Sequence, residues 1–312
     1  MRIVCDQYIP FIAEAVRNEW PHADICPLKP EEIGAEAVKN ADVLVVRTRT
    51  KVNEALLKGS KVQLVCTATI GFDHIDTAYC EAHGIRWMSC PGCNAQAVCD
   101  YIEEALDEVR ARGTVGIVGV GHVGSLVTKM AERKGLKVLL NDPPKQIGVS
   151  LDFIAQNSDI ITFHVPLDSS TYHLCNEAFL AKCKPGALII NAARGGVVDE
   201  AALLESRHPY ILDTWENEPN INSEVLRKAE LASMHIAGYS VEGKRNASQM
   251  CLDTIAEQFN LPQITNYQLP ITNKKGDSAP GWISRISASL KAHPTAFELL
   301  RKSYPLREGL VR

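Results

Sequence analysis

The sequence predicts an α/β protein of two doubly wound parallel-sheet domains, followed by a short C-terminal extension. Three observations carry this. Short apolar runs alternate with amphipathic helical stretches almost from end to end. A long helical pattern without strands, Ala95–Arg112, separates one such block from a second that starts at Thr114. The 312 residues suit two domains at roughly 150 residues each. Strands that alternate with helices make βαβ units, and a parallel sheet covered on both faces is how such units bury their apolar runs.

The candidate strands, in order, are Ile3–Cys5, Val43–Val46, Gln63–Thr67, Val115–Val118, Lys137–Leu140, Ile160–Val165, Ala187–Asn191 and Tyr210–Leu212. Each is a short run of β-branched or aliphatic residues. Asp73–His83, Val123–Lys134 and Glu200–Ser206 are among the amphipathic helices between them. Met1–Cys5 meets Asp6 too soon for a signal-peptide core and reads as the first strand. Beyond Leu261 the chain turns basic and is broken by Pro262, Pro270, Pro280, Pro294 and Pro305, as expected of an arm, a small subdomain or a tail.

Composition narrows the function classes. With 46% hydrophobic and 22% charged residues, the chain is of ordinary globular type. Lysine and arginine total 33 against 37 acidic residues, a net charge of −4, which gives no electrostatic case for nucleic acid or a membrane surface. No apolar run is long enough to cross a bilayer. Ten cysteines are scattered along the chain and read as reduced thiols of a cytoplasmic protein. Cys90-Pro-Gly-Cys93 has the gap of a zinc or redox pair. It lacks a second pair or a His-x₃-His partner, so no metal is expected. A redox pair would open a helix after a strand, which Trp87-Met88-Ser89 allows, but the rest of that fold is missing.

The strand from Thr114 runs into Gly119-Val-Gly121-His122-Val123-Gly124 and then a helix. In that context Gly119 permits a tight turn, Gly121 lets backbone approach a pyrophosphate, and Gly124 lets helix and strand pack closely. The next strand ends in Asn141-Asp142, eighteen residues past Gly124, where a carboxylate can hold ribose hydroxyls and repel a 2′-phosphate. NAD is therefore the expected cofactor. A glycine turn without a ligand, or a methyltransferase nucleotide site, are the alternatives. Three further strand ends carry ionisable residues: Arg194 after Ile189–Ala193, Glu216 and Glu218 after Asp213, and His235 beside Gly238. Each alone has a plain reading as a surface pair, a helix cap or a core histidine. Together they supply a guanidinium for a carboxylate, an imidazole for a hydroxyl proton, and a carboxylate to orient that imidazole.

The pattern resembles the D-isomer-specific 2-hydroxyacid dehydrogenases, and within them a branch acting on a phosphorylated 2-hydroxy acid. The residues behind the closer resemblance are Val46-Arg-Thr-Arg-Thr-Lys51, Thr67-Ala-Thr69-Ile-Gly71, Cys90-Pro-Gly-Cys-Asn94, Asn141-Asp-Pro-Pro144, Trp215-Glu-Asn-Glu-Pro219 and His235-Ile-Ala-Gly-Tyr239. The resemblance runs from residue 1 to about 260. It implies a flavodoxin-like substrate domain from residues 1–93 and 239–261, a Rossmann NAD domain over 94–238, and an extension over 262–312 that is a possible dimerisation arm of a homodimer. It makes Arg194, Glu218 and His235 the catalytic residues, and Glu216 a bystander. It places Gly119, Gly121, His122, Val123, Gly124, Asp142, Val165, Ala192, Ala193, Asp213 and Gly238 on NAD. Arg47, Thr48, Lys51, Thr69, Gly71 and Tyr239 fall to the substrate.

The chain departs from the family in a short stretch between Arg194 and Glu218, a curtailed C-terminal region, and an arginine at position 49. Arg47, Arg49 and Lys51 lie two apart, so an extended segment would turn all three to one face, suited to a phosphate. A solvated basic loop is the alternative. A regulator that binds NAD without catalysis, and a dehydrogenase of another 2-hydroxy acid such as glycerate, are the competing functions. The complete triad speaks against the regulator.

Overall fold

The structure, a computed structural model, describes residues 1–264 and 280–307, which form two compact units. The first unit comprises residues 1–94 and 241–264. Its strands are β1 (Arg2–Asp6), β2 (Asp24–Leu28), β3 (Val43–Val46), β4 (Leu64–Thr67) and β5 (Arg86–Met88). They form one sheet in the order β2-β1-β3-β4-β5, every pairing parallel. This is the flavodoxin-like order, with its switch point between β1 and β3. The period of two sorts the side chains. Ile3, Cys5, Val43, Val45, Leu64 and Cys66 pack with Ile12, Val16, Cys251 and Ile255. Val4, Leu44, Val46 and Val65 pack with Val38, Leu57 and Cys80 on the other face.

The second unit comprises residues 95–240 and 280–307. Its strands are β6 (Thr114–Val118), β7 (Lys137–Asp142), β8 (Ile147–Gly148), β9 (Ile160–Phe163), β10 (Leu188–Asn191), β11 (Tyr210–Leu212) and β12 (Leu231–Ala232). The sheet order is β12-β11-β10-β9-β6-β7-β8, the Rossmann arrangement with an added edge. The parallel expectation needs one correction here. β8 pairs antiparallel with β7, which a two-residue edge strand can do because it needs no crossover.

The C-terminal stretch is no separate arm over its described part. Helices Trp282–Ala292 and Phe297–Ser303 set Trp282, Ile283, Leu290 and Phe297 into the core of the second unit. Glu104 and Glu108 of the long helix Ala95–Glu108 accept the amides of Gly281, Ile283 and Ser284, which satisfies the first turn of the helix from Trp282. Residues 262–264 belong instead with the first unit, where the Trp20 indole donates to the Pro262 carbonyl at 3.0 Å. The remainder of the expected arm, 265–279 and 308–312, lies outside the described residues. No helix among the described residues is long and apolar enough to cross a membrane. All ten cysteines are free thiols, and Cys90 Sγ lies 3.8 Å from Cys251 Sγ.

Candidate active site

Each glycine of the loop after β6 has its own physical reason. Gly119 has φ +91°, and a Cβ there would stand 2.5 Å from the His164 carbonyl oxygen. At Gly124 a Cβ would meet the Gly119 carbonyl oxygen at 1.9 Å, so the helix His122–Arg133 can approach its strand only through glycine. Gly121 differs. No atom lies within 4 Å of a Cβ built there, and its φ of −84° suits any residue. The space a Cβ at 121 would fill is open, so the bare backbone there leaves room for a ligand to lie against it. Gly121 caps the following helix without a side-chain acceptor, which leaves the amides of the first turn for an anion. Beside the loop, Asp142 ends β7, mostly buried, and accepts the Val120 amide at 2.8 Å. Val165, past β9, abuts Gly119, and His122 is exposed at the mouth of the loop. Among the described residues no group of three or more His, Cys, Asp or Glu could hold a metal ion.

Three neighbouring strands deliver the ionisable residues. Arg194 follows β10, and Asn191 fixes its turn by donating to the Arg194 carbonyl and accepting the Ala193 amide. Ala192 and Ala193 are the half-buried residues of that turn. Gly195 presses on the loop after β11, where a Cβ would strike the Trp215 carbonyl oxygen at 2.0 Å. That loop carries Glu218, whose Oε1 accepts the Trp215 amide at 2.9 Å and whose Oε2 meets His235 Nδ1 at 2.8 Å. Burial alone pushes the Glu218 carboxyl up. The His235 hydrogen bond and charge, the Trp215 amide and the nearby Arg301 outweigh it and hold the group below its usual range. An ionised Glu218 accepts a hydrogen bond from Nδ1–H, which keeps the proton on Nδ1 and leaves Nε2 as the reactive nitrogen.

His235 itself has φ +56°, a left-handed conformation uncommon outside glycine and asparagine. Asp213 sustains it. This carboxylate, 1% exposed, accepts Ser233 Oγ, the Ile236 amide and the Ala237 amide, while the Asp213 carbonyl accepts the His235 amide at 2.7 Å. Ser233 is in turn hydrogen-bonded to the buried Tyr101 hydroxyl. Sequence reasoning gave Asp213 to the cofactor alone and missed this bracing, because it joins residues twenty or more positions apart. Glu216, the other acid of its loop, pairs with His173 at 2.5 Å and stands apart from the Glu218–His235 pair. Gly238 and Tyr239 complete the turn, and the Arg301 guanidinium lies 5.8 Å from the Tyr239 ring centre. Arg301 and Arg307 were also missed, since nothing in a proline-broken basic tail marks single arginines.

In the first unit, residues from the ends of β1, β3 and β4 gather at the switch point, the edge where open α/β sheets bind ligands. One expectation needs correction. Residues 47–50 are a turn closed by the Thr50 amide on the Arg47 carbonyl at 3.2 Å, not an extended run, so two-residue spacing does not align the three cations. Arg47 folds back on Asp6, fully buried at the end of β1, with Nε and Nη2 at 2.8 and 3.2 Å from its oxygens. Thr48, Arg49 and Lys51 are exposed. Past β4, Thr69 Oγ1 donates to the Gly71 carbonyl at 2.9 Å and sits 2.6 Å from Thr67 Oγ1. Lys244, quoted in no role by the sequence reading, is half-buried on the helix Val241–Phe259. Burial and the charge of Arg47 lower its pKa, so two cations share this edge.

Residues 102–240 match the model of the D-isomer-specific 2-hydroxyacid dehydrogenase NAD-binding domain. The whole chain is 42% identical to the erythronate-4-phosphate dehydrogenase of Bacteroides fragilis, across 100% of this chain and 99% of that protein. The enzyme of the same name from Bacteroides thetaiotaomicron is 41% identical, over 98% and 97% of the two chains. The chain belongs to the D-isomer-specific 2-hydroxyacid dehydrogenases. Among solved structures, NAD⁺-bound 3-phosphoglycerate dehydrogenase of Entamoeba histolytica superposes with a TM-score of 0.72 at 24% identity, covering 87% of this chain and 99% of its own. D-lactate dehydrogenase of Aquifex aeolicus gives 0.66 at 24%, covering 83% and 95%. These two establish likeness of fold. As a member of this family the protein is an NAD-dependent oxidoreductase, and NAD is its cofactor.

Proposed function

We propose that this 2-hydroxyacid dehydrogenase oxidises 4-phospho-D-erythronate at C2, giving 3-hydroxy-2-oxo-4-phosphooxybutanoate for vitamin B6 synthesis. The observation that carries the chemistry is the Glu218–His235 pair, hydrogen-bonded at 2.8 Å past β11 and β12, in the row of strand ends that continues to Arg194 past β10. The identity to erythronate-4-phosphate dehydrogenases over the full chain supports the choice of acid.

Bound NAD⁺ supplies the hydride acceptor. Gly119, Gly121, His122, Val123 and Gly124 take its pyrophosphate, and Asp142 its adenosine ribose. Val165, Ala192, Ala193, Asp213 and Gly238 line the remainder. Arg194 holds the substrate carboxylate through a guanidinium fork, which fixes C2 toward the nicotinamide. His235 Nε2 takes the C2 hydroxyl proton as the C2–H bond breaks and the carbonyl forms. Glu218 keeps the ring oriented and stabilises the imidazolium that results. Arg47, Thr48 and Lys51, with Thr69, Gly71 and Tyr239, receive the phosphorylated end. Arg47 already carries a carboxylate partner, so Lys51 and the Thr48 hydroxyl bear more of the phosphate's charge than even sharing would give.

We further propose a cytoplasmic homodimer. Ten free thiols suit a reducing compartment. Light scattering of the purified protein decides the dimer, and a monomer at micromolar concentration rejects it. The reaction is tested by mixing the protein and NAD⁺ with a panel of 2-hydroxy acids and following NADH absorbance and product mass. The expected result is a product two mass units lighter than 4-phospho-D-erythronate. Turnover of glycerate or lactate with none of the phosphorylated acid overturns the substrate.

A further inference from the structure

Asp213 holds only one side of the turn that bears His235. The other side is held from the end of the described chain. Arg307, only 5% exposed, lies beneath residues 236–239. Its Nη2 donates to the carbonyls of Ala237 and, at 3.2 Å, Ile236, with a longer contact of 3.5 Å to the Ala97 carbonyl. Its Nε donates to the Tyr239 carbonyl at 3.3 Å, and its own amide reaches the same oxygen at 3.4 Å. The guanidinium also stacks over Trp282, 4.5 Å from the ring centre, and Ser240 forms a parallel bridge with Arg307.

The peptides of Ile236 and Ala237 are thus gripped at both ends. In the peptide that joins them, Asp213 takes the Ala237 N–H and Arg307 the Ile236 carbonyl, so each contact polarises the other, while the Ile236 N–H and the Ala237 carbonyl are held on the peptides to either side. Burial lowers the pKa of the Arg307 guanidinium, and the Asp213 charge offsets part of that cost. A left-handed histidine persists only where its surroundings over-determine the backbone, and this clamp supplies that restraint.

We infer that Arg307 is a positioning residue for the dehydrogenase reaction, clamping with Asp213 the turn that presents His235 and Tyr239, so that the C-terminal segment completes the active site. The inference rests on His235 being the proton acceptor. Arg307 touches neither substrate nor cofactor and acts through the turn.

The test compares the full chain with its Arg307→Met and Arg307→Lys variants. Misplacing a catalytic group by about 1 Å costs roughly a hundredfold, so Arg307→Met should lower kcat by about ten- to a hundredfold. NADH affinity should fall by less than kcat, within about fivefold, since the clamped turn carries only Gly238 of the proposed cofactor contacts beside Asp213 and the glycine loop is a separate element. Arg307→Lys should recover at least part of the kcat loss. Amide hydrogen exchange supplies a readout that needs no substrate. In Arg307→Met the Ile236 and Ala237 amides should exchange at least about tenfold faster while those of Val115–Val118 are unchanged. Unaltered exchange at these two amides, or a kcat within about twofold of wild type, overturns the clamp. So does a parallel loss of kcat, NADH affinity and melting temperature that lysine does not rescue, because a general structural role predicts that. A wild-type protein that oxidises no 2-hydroxy acid would defeat the proposed function instead, and exchange would still decide whether Arg307 holds the turn.

Discussion

The turn after β12 and the turn after β3 are both proposed to face the substrate, yet they are built in opposite ways. At the first, the imidazole of His235 meets a half-buried carboxylate, and its backbone is braced by Asp213 and Arg307. At the second, Arg47 is anchored on Asp6 while Thr48, Arg49 and Lys51 stand exposed. The difference follows from the work each does. A proton acceptor must have its tautomer and direction fixed before the substrate arrives. A site for a dianion can leave its cations solvated, because the ligand brings the charge that orders them. Damage to the braced turn should therefore slow every substrate, and damage to the exposed turn only the phosphorylated one.

The largest effect is expected from His235→Asn, which tolerates the left-handed backbone and removes the base. Turnover should fall by about 10²–10⁴-fold, measured by steady-state NADH formation with folding checked by circular dichroism. Glu218→Gln keeps the shape and loses the charge, so about a hundredfold loss is expected with the phosphorylated and unphosphorylated acids alike. A loss confined to one of them would break the comparison. Glu218 also has a pH signature. Its folded pKa lies below the ordinary value of 4.5, so its contribution to stability is complete above that value and disappears as pH falls through the folded one. Urea midpoints of Glu218→Gln should therefore converge on wild type in acid.

Lys51→Ala sharpens the other side. One charge-assisted contact is worth roughly 1.5–3 kcal/mol, so kcat/KM for the phosphorylated acid should drop about tenfold or more, with the unphosphorylated analogue and NAD affinity unchanged. Equal losses for both substrates would mean that the turn after β3 supports the fold and the phosphate is bound elsewhere. The smallest effect on catalysis is expected at Glu200, whose carboxyl accepts the Glu216 amide at 2.7 Å and is pushed up to about 7 by burial. A raised carboxyl pKa costs stability as pH climbs from the unfolded value to the folded one, and the cost is complete above about 7. Glu200→Gln lacks that slope. It should be more stable than wild type at about pH 8 by up to roughly 2–3 kcal/mol, should lose this advantage near about pH 5, and should keep kcat within about twofold.

The limits of the sequence reading have the same physical origin as this contrast. The central strands β1, β3, β4, β6, β7, β9, β10 and β11 show as apolar runs because both of their faces are covered. β2, β8 and β12 are edges, and β2 carries Asp24 and Pro27 where a central strand would not tolerate them. β5, the fourth edge, is visible only as a strand permitted at Trp87–Ser89. At the site, Arg194, Glu218 and His235 are legible because each stands where an apolar run ends. The bracing by Asp213, Ser233 and Tyr101 is not, because it joins distant positions through a hydroxyl and backbone amides that carry no sequence pattern. The turn at 47–50 shows the reverse error. Alternation is informative only if the backbone is extended, and no glycine or proline announces that it bends there.

The central claim is that a 2-hydroxy acid is recognised here together with its phosphate. The most direct measurement is the ratio of kcat/KM for 4-phospho-D-erythronate to that for D-erythronate, with NAD⁺ saturating and wild-type protein. Two or more charge-assisted contacts at the phosphorylated end predict a preference of at least about a hundredfold. A ratio near one, with both acids oxidised, would contradict the account.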